Sequence, residues 1–196
     1  GAIQSPQVLM LSGIGDRDTL SGLNIPVVKH LPGVGQNLQD HIWTGVSGFT
    51  NIPMGNSLIR PWPMFKALMQ HVLFKKGPLG NSPLEANAFL KSDPGLSRPD
   101  IQFHMAPIAI APGYTTDIYN LKTFASEDGY GILVILLRPE SKGYITLRSN
   151  NPLHPPVIQP RFLSASKDMD TLLWALKKSI EISKDQAMKV YAPGGI

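Results

Sequence analysis

The sequence contains no cysteine, which excludes disulfides and thiolate metal sites. That absence leaves the compartment open, because cysteine-free chains occur everywhere. Long apolar runs are missing too. The longest, Ile132–Leu137, falls far short of the roughly 20 residues a transmembrane helix needs and suits a buried strand. Charge is sparse at 16% of residues, against 42% hydrophobic residues, the balance of a soluble globular chain. The 196 residues suffice for one domain, or for one domain and part of another. The net charge of +4 comes from dispersed basic residues, with only Lys75-Lys76 and Lys177-Lys178 adjacent. Solvated surface charge, not nucleic-acid binding, is the expected reading. The five histidines show no His-Glu-x-x-His pairing, so no metal site is expected. Neither a Gly-x-Ser-x-Gly elbow nor a phosphate-binding Gly-Lys-Ser/Thr loop occurs.

What the chain does have is punctuation, with 18 glycines and 18 prolines and no internal repeat. Ser5-Pro6 predicts a helix start, with Ser as cap and Pro at the first helical position, and Gly13 a stop. Asp16 is placed to cap a second short helix that Gly22 closes, and Ile25–Leu31 then reads as a strand. Pro32–His41 is a glycine-containing loop, and Ile42–Thr50 alternates as a strand does. Pro63–Lys75 carries Met64, Phe65, Leu68, Met69, Val72 and Leu73 on one helical face, ended by Gly77-Pro78. Ala86–Lys91, Ile101–Met105, Tyr130–Arg138 and Gly143–Arg148 read as strands, the last two as a hairpin through Pro139–Lys142. Ser166 opens a closing helix with Met169, Leu172, Leu173, Leu176 and Ile180 on its expected buried side. Asp168 and Asp170 stand in its first turn, favourable for the helix dipole. Helices do not alternate with strands, so the expected fold is α+β, a mainly antiparallel sheet with helices packed on one side.

Three blocks carry chemistry. Gly1-Ala2 before a helix offers small residues where backbone approaches a ligand closely, and the helix start suits an anion or a polar cofactor edge. Leu31-Pro-Gly-Val-Gly-Gln-Asn-Leu-Gln-Asp-His41 combines flexible glycines with the donors and acceptors of Asn37, Asp40 and His41. Read alone, His41 is a hydrogen-bonded structural residue before it is a base. Glu85, in Gly77–Phe89, precedes an apolar strand where a carboxylate calls for a partner. Read alone, it is an ion-paired or exposed Glu at a strand start. In Pro99–His104, alternation sets Gln102 and His104 on one face and Ile101, Phe103 and Met105 on the other. His104 accordingly faces substrate space or is a hydrogen-bonded sheet residue.

As a string, Gly1–Gly15 resembles the second signature of the glucose–methanol–choline (GMC) oxidoreductases. The Gly33–His41 loop, the Gly77–Phe89 block, Pro99–His104 and Arg138–Ser149 resemble the same family in the same order, closest to its choline-dehydrogenase-like branch. The resemblance implies FAD as cofactor, with Gly1, Ala2, Ser5, Asn37, Asp40 and His41 near the flavin. It implies a small alcohol as substrate, with Glu85 placed to attract a cationic head group and His104 facing the substrate space. The implied division is 1–41 from the FAD-binding domain, 42–165 from the substrate domain, and 166–196 a helix returning toward the FAD domain. The family's Gly-x-Gly-x-x-Gly pyrophosphate loop and its catalytic His region are not among these residues, so no catalytic residue is assigned. The chain opens on Gly and closes on Ala192-Pro-Gly-Gly-Ile196, and reads as an internal piece that needs the remainder of its polypeptide and is inactive alone. An FAD-containing hydroxynitrile lyase and a non-catalytic binding module on the same fold are the alternatives.

Overall fold

The computed structural model describes residues 1–111, 113, 115–117 and 119–192. The last four residues of the expected closing segment, 193–196, lie outside them. Two compact units emerge, one from residues 1–42 and 139–169, the other from 43–138 and 170–196. Contacts gather residues 139–169 with the N-terminal residues. Helices mix with mainly antiparallel sheets, an α+β chain.

In the first unit, α1 (Gln4–Leu11) ends at Gly13 (φ +81°), where a Cβ would stand 2.3 Å from the Pro26 carbonyl oxygen. The expected start of this helix is corrected. Ile3 occupies the cap position, Ser5 lies inside the first turn with its amide bonded to Gly1 O at 3.0 Å, and Pro6 is the third helical residue. Proline is tolerated there because none of the first four amides has an intrahelical acceptor. Asp16 caps α2 (Arg17–Gly22) by accepting from Thr19 N at 2.9 Å. The expected strand Ile25–Leu31 shrinks to β2 (Lys29–His30), paired in parallel with β1 (Ile14–Gly15). Pro26 has no amide for a ladder, which leaves only the residues beyond it to pair. A three-stranded sheet runs β3–β8–β9 (Gln36–Leu38, Gly143–Thr146, Val157–Gln159). Met10, Leu20, Ile25, Ile145 and Leu147 form the core, each side chain contributing about 1.5–3 kcal/mol by leaving water.

The second unit holds an antiparallel sheet in the order β4–β7–β6–β5 (Ile42–Phe49, Gly129–Leu136, Ile101–Ala106, Ala86–Leu90). Ile101, Phe103, Tyr130, Ile132, Val134 and Leu136 are buried together on one face. The hairpin expected between the strands around Tyr130 and Gly143 does not form, because β7 pairs with β6 and β8 with β3 and β9. Pro139–Lys142 is where the chain passes from one unit to the other, so sequence adjacency there does not become pairing. α3 (Gly55–Leu58) is held by buried Asn56, which accepts from Ala109 N and donates to the carbonyls of Ala109 and Ala125. Asp128 accepts from the amides of Met54 and Ser57 and from the Ser57 hydroxyl. Burial pushes its carboxyl up, but those donors and Arg60 bring it below the ordinary carboxylate range. α4 spans Pro61–Phe74 and α6 Gln186–Lys189.

The closing helix α5 (Ser166–Ser183) also departs from expectation. Met169 and Leu173 are exposed, while Thr171, Leu172, Ala175, Ser179 and Ser183 are buried. Small side chains at intervals of three and four let the helix approach its surroundings closely, and that strip, not the larger apolar one, turns inward. Ser183 lies beside the buried Tyr130 phenol, whose pKa burial raises and that hydroxyl lowers in part.

Asp168, 2% exposed, does more than complement the helix dipole. Its two oxygens accept from Glu140 N at 2.7 Å and Ser141 N at 2.9 Å, while Ser141 Oγ accepts from Ala165 N. Burial raises its pKa, but Ser141, the two amides and Lys167 together hold it below the usual value. A carboxylate depressed on folding adds stability above its unfolded pKa, and that stability is lost as pH falls through the folded value. Asp168→Asn should therefore cost about 1–3 kcal/mol at neutral pH. In urea titrations the gap between variant and wild type should close below about pH 4; a gap independent of pH would contradict the assignment. Gly35, at φ +80° with its would-be Cβ 2.1 Å from Ile145 O, should tolerate no side chain. Gly35→Ala is expected to destabilise the chain by at least about 2 kcal/mol, read from its denaturation midpoint.

Candidate functional site

In the first unit the start of α1, the segment around β3 and Ile145 of β8 line one cleft of about 500 Å³. Ala2 and Ser5 stand on one side of it, Gln36, Asn37 and Gln39 on another, and Leu9, Val34, Leu38 and Ile145 supply apolar wall. Backbone geometry builds it. Ile145 N donates to Gly35 O at 2.7 Å, seating the loop on β8 where glycine alone leaves room. Between the pairs Gln36↔Tyr144 and Leu38↔Gly143 the register shifts, and Asn37 is the extra residue, at φ +60°. Asparagine tolerates this left-handed conformation better than most residues, and a bulge re-aims the side chain it carries. Gln39 Nε2 donates to Pro139 O at 2.7 Å, fixing the far end of the loop.

Three of the residues singled out in the sequence, Ala2, Ser5 and Asn37, thus share a cleft. Gly1, Asp40 and His41 are exposed and outside its lining. Asp40 Oδ1 accepts from His41 N at 2.8 Å, a local turn contact that settles the backbone where the loop enters β4. Gln36 and Gln39 had no signal in the sequence beyond membership of the loop.

The second unit offers a different surface. Antiparallel register sets Asn87 opposite His104, Phe89 opposite Gln102, and His104 opposite Leu133. Alternation places Glu85 on the same face, its amide extending the ladder to Met105 O at 3.1 Å. Glu85, Asn87, Gln102 and His104 thus stand together on the face opposite the buried one. Glu85 is exposed, and no ion pair involving it occurs among the described residues. His104 Nδ1 is buried and has no hydrogen-bond partner among the described residues. Asn87 escaped the sequence reading, although its place two residues after Glu85 already put both on one side. Among the described residues, no three His, Asp or Glu gather as a metal site.

The GMC oxidoreductase family's N-terminal model matches residues 1–43 and its C-terminal model residues 139–195, together slightly more than half the chain. The mitochondrial choline dehydrogenase of Homo sapiens is 38% identical over 96% of this chain and 31% of its own length. The glucose dehydrogenase (FAD, quinone) of Drosophila pseudoobscura pseudoobscura is 34% identical over 97% of this chain and 30% of its own. The chain therefore spans about a third of the length of the curated relatives it matches. Among solved structures, a formate oxidase superposes with a TM-score of 0.83 at 21% identity, over 98% of this chain and 37% of that one. Pyridoxine 4-oxidase from Mesorbium loti does so at 0.75 and 21% identity, over 100% and 34%. At such identities these two speak for the fold. With both family models in sequence order and relatives alike along nearly all of it, the chain belongs to the GMC oxidoreductase family.

Proposed function

We propose that this protein is an FAD-dependent oxidoreductase acting on the CH–OH group of a small alcohol, with a choline-like alcohol as preferred substrate. The reading is supported by family membership and by the names of its choline dehydrogenase relatives. One observation in this chain carries the substrate side. A buried histidine nitrogen without a partner costs about 1–3 kcal/mol, and among the described residues His104 bears that cost on the face it shares with Glu85, whose carboxylate has no ion-pair partner there. A hydroxyl-bearing cation satisfies both groups at once.

The cleft of the first unit fits a flavin edge in chemistry. Leu9, Val34 and Leu38 offer apolar wall to a flat ring, and the Ser5 hydroxyl and Asn37 amide offer donors and acceptors to its polar rim. Ala2 leaves the approach open. Gly1 precedes this wall, and Asp40 and His41 follow it as the segment leading into the sheet. When bound, FAD supplies the hydride acceptor, flavin N5. This chain's residues bind and orient: Glu85 holds the positive head group, Asn87 and His104 hydrogen-bond the polar part of the substrate, and Leu133 keeps water from it. The base that takes the hydroxyl proton is not assigned to any of these 196 residues, and the chain by itself does not turn over alcohol.

In the full-length polypeptide, flavin reduction should be fastest with choline when choline, glucose and aromatic alcohols are compared. The absence of reduction by all three would end the reading. Glu85→Gln should raise the KM for choline by about tenfold or more, a lost charge pair, while an uncharged alcohol is unaffected. His104→Leu should weaken substrate binding but leave the melting temperature unchanged or raise it, since an orphaned polar atom is removed. A large loss of stability in that variant would mark His104 as structural. The 196-residue chain supplied with FAD should show no alcohol-dependent bleaching.

A further inference from the structure

Helix α4 presents its apolar side to solvent. Its buried side is marked by Ala67, 5% exposed, with Met64 and His71 half-buried next to it. Opposite stand Trp62, Phe65, Met69, Val72 and Leu73, recurring at helical intervals and exposed by 40–63%. A contiguous patch of this kind marks a surface that something covers.

Charge says what covers it. Between Asp40 and Glu85 there is no acidic residue, while Arg60, Lys66, Lys75 and Lys76 are all basic. That segment carries +4, the formal charge of the whole chain, leaving 14 basic and 14 acidic residues elsewhere. The positive charges bracket the apolar face, Arg60 before the helix, Lys75 and Lys76 after it. Lys66 Nζ lies 5.4 Å from the centre of the Trp62 ring, itself stacked on Phe65 at 5.7 Å. An aromatic pair with a lysine draped over it suits the headgroup boundary of a bilayer, where apolar bodies go in and charged tips stay wet. A second copy docking symmetrically through this face would bring two +4 segments together, which like-charge repulsion opposes. No helix among the described residues is long and apolar enough to cross a membrane, so the contact is one of lying on the surface.

We propose that α4 is an interfacial helix that seats this protein on an anionic lipid bilayer, its Trp62–Leu73 face immersed and its flanking lysines on the headgroups. The inference is independent of the substrate reading. The test is co-sedimentation of the full-length polypeptide, and of the 196-residue chain, with phosphatidylcholine vesicles with and without about 30% phosphatidylglycerol. Both should bind the anionic vesicles, at least about tenfold more weakly when the lipid is neutral or salt is raised to about 0.5 M. Leu73→Glu should abolish binding, and Lys75→Glu with Lys76→Glu should weaken it by about 30-fold or more. These side chains project into solvent, so the variants should keep the wild-type circular dichroism and melt. On binding, tryptophan emission should shift to the blue and be quenched by acyl-brominated lipid, and Trp62→Phe should remove that response. Several results would overturn the proposal: no vesicle binding, binding indifferent to lipid charge, or binding kept by Leu73→Glu. So would binding by the 196-residue chain but not the full polypeptide, or a dimer that Leu73→Glu dissolves. The first of these last two would assign the face to the protein's own remainder, the second to another copy.

Discussion

One buried carboxylate ties together the places where the chain changes unit. It leaves the second unit at 138/139 and returns to it at 169/170, and Asp168 stands one residue from the return while holding the amides of Glu140 and Ser141 next to the departure. Neither amide could find a ladder partner in a turn that starts at Pro139, and buried without one each would cost about 1–3 kcal/mol. The carboxylate satisfies both with a single charge, and Ser141 passes the arrangement on to Ala165 N just ahead of α5. Everything between, β8 and β9 included, is thereby closed into a loop with fixed ends, and β8 is the strand on which the cleft is built.

Much of the local structure was legible in the sequence because its causes are local. Gly13 ends α1 where only a residue without Cβ fits, and Asp16 caps α2 with its own side chain. The strands around Ala88, Phe103 and Val134 announce themselves by alternation and pair as antiparallel neighbours. What escaped depends on distant partners. Nothing in residues 130–148 says that the chain changes sheets between two adjacent strands. The inward strip of α5 does not follow side-chain size, because close approach selects Ala175, Ser179 and Ser183 over Met169 and Leu173. The Asn37 bulge is equally invisible, since it exists only against Tyr144 and Gly143 more than a hundred residues away.

The same distinction separates the parts of the candidate site. Asn37 and Ser5 could be singled out as residue types in a motif, but their sharing a cleft is a product of Gly35 seating on Ile145. Glu85 and His104 could each be suspected, but Asn87 enters only with the register that sets it opposite His104. Motifs name the donors. Register and close approach decide which of them stand together.

Several buried polar side chains are satisfied within the fold: Asn56 makes three hydrogen bonds to backbone, Asp128 collects two amides and a hydroxyl, and Asp168 two amides. Set beside these, three buried polar atoms of the second unit have no hydrogen-bond partner among the described residues, His71 Nδ1, His104 Nδ1 and the Tyr130 hydroxyl, and of the three only His104 stands on the strand face that Glu85 and Asn87 share. Exposure alone does not single out α4, because large apolar side chains such as Val28, Phe89 and Leu153 also stand in water. What distinguishes α4 is that Trp62, Phe65, Met69, Val72 and Leu73 gather on one side of one helix, in a segment whose charges are all positive.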